Sequence, residues 1–208
     1  MQKQTMKILF KDNIKSYLLM FLMSILAGLS VVICFALPNN DLWAFSYWSA
    51  ETFGFWMFST SLIVLLSEKR KTAIINAFMY VFIVFLITTI YQSYKMYFNF
   101  YTPFDSEMEL SISSIDGWLF YSIIPALVCG FLGAILWSGR KNKIYSKVFC
   151  VLPAVFILIE TIILFISVFT NHTKLFSAIT DLIWLILYVV FLIKNVFTTR
   201  KVYGENRE

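Results

Sequence analysis

Long apolar runs, broken by short polar stretches, set the pattern of this chain. Six runs, at 17–36, 48–66, 73–93, 118–137, 148–169 and 175–194, carry almost no charge. Each has about 20 residues, the length a helix needs to cross ~30 Å of hydrocarbon. In lipid a helix satisfies its own backbone N–H and C=O groups, which an open strand does not. The pattern therefore predicts an all-α, polytopic membrane protein with six transmembrane helices.

The polar stretches differ in kind. Leu37-Pro38-Asn39-Asn40-Asp41 and residues 170–174 read as tight turns. Ser67-Glu68-Lys69-Arg70-Lys71 and Ser138-Gly139-Arg140-Lys141 close two runs with positive charge. Residues 94–117 form the one long loop. Within it Glu107-Met108-Glu109-Leu110-Ser111-Ile112-Ser113 alternates polar with apolar, the period of an extended strand. Its Met108, Leu110 and Ile112 face is expected to rest on the bundle. At the N-terminus, residues 1–16 set Lys3, Lys7, Lys11 and Lys15 beside Met6, Phe10 and Ile14, either the stripes of an amphipathic helix lying at an interface or, equally, a simple basic flank that fixes orientation. Residues 195–208 are a polar, basic tail.

Charge fixes the expected orientation. All but two of the 17 Lys and Arg residues, Lys95 and Lys174, fall in segments expected on one side: the N-terminal segment, the two basic loops with the residues that follow them, the tail, and Lys194 at the end of run six. Four of the 12 acids, Asp105, Glu107, Glu109 and Asp116, fall in the long loop. Positive charge stays on the cytoplasmic side, so both termini are expected there and residues 94–117 outside. The same basic segments favour anionic lipid as a partner. A net charge of +5 arranged this way describes orientation, and no nucleic-acid partner is expected.

Composition agrees with a membrane setting: 60% hydrophobic, 14% charged, mean hydropathy +0.77. The Lys, Asn, Ile and Phe bias fits a low-GC bacterium, and hence its cell membrane. Cys34, Cys129 and Cys150 fall at different depths of three runs and are expected to stay unpaired.

In the fourth run Ala126, Gly130 and Ala134 recur at spacing four, with Gly133 beside them. Small residues so placed let a second helix backbone approach closely. This run is therefore expected to be the central packing helix.

The candidate chemistry lies in acids within apolar runs. A mid-bilayer carboxylate costs ~2.5–3.5 kcal/mol on insertion scales, so it faces protein or water. Glu160 and Asp181 sit at nearly equal distances from the turn joining runs five and six, so an antiparallel hairpin brings them to one depth. Glu51 is the shallower third member of this expected group. On run six Asp181, Trp184 and Tyr188 share one face, and an acid beside aromatic rings suits a cationic or amphipathic ligand. The equal alternative is that Glu160 and Asp181 are protonated and hydrogen-bond neighbouring helices, holding the bundle together.

No metalloprotease, P-loop, nucleophile-elbow or dinucleotide signature is present. His172 is the sole histidine, which excludes metal sites built from several imidazoles. No catalytic residue, metal or cofactor is assigned. In size and topology alone the chain is similar to the substrate-binding subunits of energy-coupling-factor vitamin transporters, a likeness that rests on no shared motif. The first expectation is a membrane protein that binds or moves a small ligand through an acid-lined cavity opening outward. The alternative is a non-transporting interaction protein, an immunity or sensory subunit that meets another membrane protein or a second copy of itself. A membrane enzyme ranks third.

Overall fold

The computed structural model describes residues 8–37, 40–45, 53–98, 115–140 and 144–197. Among the described residues it is all-helical, with six α-helices: α1 (Ile14–Ala36), α2 (Gly54–Leu65), α3 (Arg70–Phe98), α4 (Ile115–Trp137), α5 (Ile144–Asn171) and α6 (Leu175–Leu192). A short 3₁₀ turn, Ser138–Arg140, follows α4, and α6 runs on into a π turn, Ile193–Phe197. All but α2 are long and apolar enough to cross a membrane, five helices in total. Large apolar side chains stand exposed along them, among them Leu26 on α1, Phe131 on α4 and Ile163 on α5. Such faces are costly in water and suited to hydrocarbon, which makes the architecture that of a helical membrane protein.

The helices form two layers. In the first, α3 lies between α1 and α4. Small residues set both contacts. A Cβ at Gly28 of α1 would press on Ile87 of α3 at 2.9 Å. On α4, Gly130 lies against the Ile74 carbonyl and Phe78 of α3, and a Cβ at Gly133 would meet Ala77 at 3.4 Å and Val64 of α2 at 3.0 Å. Ala126 and Ala134 are buried on the same face. The second layer is the antiparallel hairpin of α5 and α6.

The short helix α2 joins the layers, touching α3, α4, α5 and α6. Its 12 residues span about 18 Å at 1.5 Å each, short of the ~30 Å of hydrocarbon. Trp56 packs on Tyr80 and Phe85 of α3, Phe55 and Phe58 pack on Trp184 of α6, and Leu65 is fully buried with Cys150, Tyr188 and Leu192. A helix apolar on every side is one enclosed by partners. This corrects the expected centre of the fold. The fourth run presents one packed face and leaves Leu119, Ile124, Leu127 and Phe131 exposed, while α2 is the enclosed element.

The N-terminal segment also departs from expectation. Residues 8–13 are not helical; they run alongside the α2–α3 loop. The Leu9 and Phe10 N–H groups donate to the Leu66 carbonyl, the Glu68 N–H donates to the Phe10 carbonyl, and Phe10 pairs with Ser67 in a parallel β-bridge. Phe10 is 2% exposed and enters the core beside Met20, whereas Ile14, expected on the same apolar stripe, is 85% exposed. Asp12 bonds Lys69 at 3.1 Å and accepts the Tyr17 hydroxyl at 2.8 Å. The Tyr17 hydroxyl and the Lys69 ammonium hold the Asp12 carboxyl below its ordinary value. The helix pattern at 8–13 loses because the loop offers its orphan backbone groups a partner and the core offers Phe10 a place. Asn13 then caps α1 by accepting the Ser16 N–H.

Tyr17, which opens the first expected span, lies inside α1, so that helix starts three residues earlier, at Ile14. The strand-like alternation at 107–113 and the tail beyond 197 lie outside the described residues. Cys34, Cys129 and Cys150 are free thiols.

Candidate functional site

The α5–α6 hairpin brings Glu160 and Asp181 close enough for their carboxyls to influence each other. Both meet the N-terminus of α2. The Phe53 N–H donates to Glu160 Oε1 at 2.6 Å. The first N–H groups of a helix lack intrahelical partners and carry its positive partial charge. No side chain of α2 caps them. Glu160 does so from another helix.

Asp181 is fully buried and presses on Gly54 so closely that a Cβ there would overlap its carboxyl. Glycine is required at this place by close approach. Neither Asp181 oxygen has a hydrogen-bond partner among the described residues. Two ionised carboxylates this close would repel strongly, so a shared proton or a cation between them is what such a pair can hold.

Trp184 and Tyr188 do not form an open cradle. The Trp184 ring stacks on Phe58 with centroids 4.9 Å apart and tilts against Phe55 at 5.5 Å. Tyr188 is buried, its hydroxyl donating to the Cys150 carbonyl at 3.0 Å and meeting the Ser61 hydroxyl. Both rings fasten α6 to α2. Glu51 lies outside the described residues.

A crevice of about 240 Å³ opens between α2, α4 and α5, where α4 and α5 scarcely touch. Trp56, Met57, Thr60 and Val64 floor it; Leu132 and Leu136 of α4 and Leu152 and Phe156 of α5 are among its walls. Its rim is exposed, Phe53 being 65% and Phe156 56% accessible. The lining is apolar, in contrast to the acid-lined cavity expected from the sequence, and neither Glu160 nor Asp181 belongs to it. The carboxyl pair adjoins it through Phe53, which lines the crevice and donates its N–H to Glu160. Phe156 lies one helical turn before Glu160 on α5.

Phe53, Gly54 and Thr60 were not singled out from the sequence. The available signal was Gly54 at the start of a stretch apolar on all sides, which marks a helix that neighbours crowd.

Fold and site together define an all-helical membrane protein with a carboxyl pair beside an apolar crevice. The chain matches no protein-family model, no curated protein and no solved structure.

Proposed function

We propose that this protein binds or moves lipophilic, positively charged small molecules within a membrane. The crevice takes the apolar body, and the Glu160–Asp181 pair takes the charge. Phe53 is the observation that carries this reading, because its one residue belongs to both parts. A bound cation replaces the shared proton, so the site exchanges one positive charge for another. Aromatic rings at the mouth, Phe53 and Phe156, favour such a ligand further.

In this reading the basic loops face the cytoplasm with both termini, anionic lipid lies against them, and the carboxyl pair sits in the outer half of a bacterial cell membrane.

The test is titration of dodecyltrimethylammonium onto the protein in lipid nanodiscs. Saturable binding is expected, tightening by about tenfold per pH unit while the cation competes with the proton. It is lost in the E160Q/D181N double variant and weakened by Leu132→Trp, which fills the crevice from α4. Binding unchanged in both variants rules the reading out.

A further inference from the structure

Pro153 lies inside α5, and the helix runs through it without a break or a π turn. Proline has no backbone N–H, so the carbonyl four residues earlier, that of Phe149, loses its helical donor. In lipid such a carbonyl is costly unless another group reaches it, often the hydroxyl of a nearby serine or threonine. The residues flanking Pro153 are Leu152 and Ala154, whose side chains have no donor. Among the described residues, no side chain and no other segment of the chain donates to the Phe149 carbonyl. A helix carbonyl points toward the residue four positions on, so it lies on the stripe that those two residues mark. Phe149 and Pro153 both line the crevice between α2, α4 and α5. The freed carbonyl is therefore part of the α5 wall.

We infer that the Phe149 carbonyl is a ligand-binding group, the hydrogen-bond acceptor of an otherwise apolar crevice, and that it takes an O–H or N–H group of the ligand. Phe149 lies 11 residues before Glu160 on α5, about 16 Å along the helix. The ligand so defined is an amphipathic cation whose apolar chain ends in a hydroxyl or amine, with about 16 Å between its two polar ends. That length rests on the proposed function, since it is measured from the charge site. The acceptor itself does not.

Two probe pairs separate the two claims. The cationic pair is dodecyltrimethylammonium with a terminal hydroxyl and the same cation with that hydroxyl methylated; the neutral pair is dodecanol and its methyl ether. Binding is read in lipid nanodiscs by the change in tryptophan fluorescence, Trp56 being part of the crevice floor. The ratio of hydroxyl to ether is compared between proteins, so partitioning into lipid cancels. In the wild type the hydroxyl member of a pair binds about tenfold more tightly than its ether, the worth of one hydrogen bond made away from water. Pro153→Ala restores the N–H that the Phe149 carbonyl lacks, and the preference disappears. Leu152→Thr keeps the proline, and its hydroxyl reaches back three residues to the same carbonyl, so the preference disappears again. Leu152→Val has the shape of the threonine without its hydroxyl and retains the preference. A preference that follows this order in the neutral pair, with no binding of either cation, would end the cation reading and leave the acceptor standing. A wild type without preference in either pair overturns the acceptor. So does a preference that survives in Pro153→Ala or Leu152→Thr, or one lost equally in Leu152→Val.

Discussion

The Glu160 carboxylate accepts the backbone N–H of Phe53 at 2.6 Å across 107 residues of sequence. One side chain of α5 thereby closes the N-terminus of a helix that is buried among four others. Removing it takes away the acceptor of the Phe53 N–H. Glu160→Ala is expected to lower stability by ~0.5–2 kcal/mol, the usual worth of a helix N-cap. Glu160→Gln keeps a carbonyl acceptor and is expected to lose less. Unfolding by a graded denaturing detergent measures both, and equal losses in the two variants would show that the cap contributes nothing.

Gly54 and Asp181 are coupled by space. A methyl at 54 would overlap the Asp181 carboxyl, so Gly54→Ala is expected to destabilise by ~1–3 kcal/mol, the usual penalty for overpacking. Asp181→Ser shortens the opposing side chain and is expected to recover most of that loss in the double variant. A double-mutant cycle measures the coupling, and strict additivity would mean that the two side chains do not compete for space.

Phe10 anchors the N-terminal segment. Phe10→Ala is expected to cost ~3–5 kcal/mol, as for other buried phenylalanines, whereas Ile14→Ala is expected to stay within ±0.5 kcal/mol of wild type. Proteolysis near residues 8–13 should quicken in the first variant alone. An interfacial helix would instead make the two losses alike, because Ile14 would then share the apolar face with Phe10.

Asp12 offers a titration outside the lipid-spanning region. Its carboxyl is held low by the Tyr17 hydroxyl first and by Lys69 second. A depressed carboxyl contributes stability above its unfolded value and loses it as pH falls through the folded value. The Lys69 partner, which Asp12 raises, keeps its contribution below its unfolded value and loses it as pH rises through the folded one. Tyr17→Phe and Lys69→Met are therefore each expected to move the Asp12 titration upward. Carbon-13 NMR of labelled aspartate reads both, and an unmoved titration in either variant would remove that partner as a cause. Both groups face water, so added salt should shrink the Lys69 part.

The six runs marked the helices because hydropathy reports what lipid requires of a segment as a whole. It reports less about sides. Lipid tails are as apolar as leucine, so an apolar face turned to hydrocarbon and one turned to protein have the same composition. This is why α4, with its conspicuous small residues, read as the centre, and why α2 hid within an ordinary apolar run. The spacing of Glu160 and Asp181 was legible because charge is scarce there and an antiparallel hairpin allows little choice of depth. The capping of α2 by Glu160 was not, since it depends on where a remote backbone begins its helix. Trp184 and Tyr188 share a face as their spacing requires, but only the packed neighbours show that the face meets α2.

The gap between α4 and α5 carries a consequence for pharmacology. Its rim residues, among them Phe53, Phe156 and Leu132, stand exposed on the flank of the bundle. An occupant arriving by that route is drawn from the acyl phase, where its concentration is its aqueous concentration multiplied by its partition coefficient. Potency across a homologous series should then climb with chain length even where the protein gains nothing. Dividing out the partition coefficient is what would reveal the protein's own selectivity.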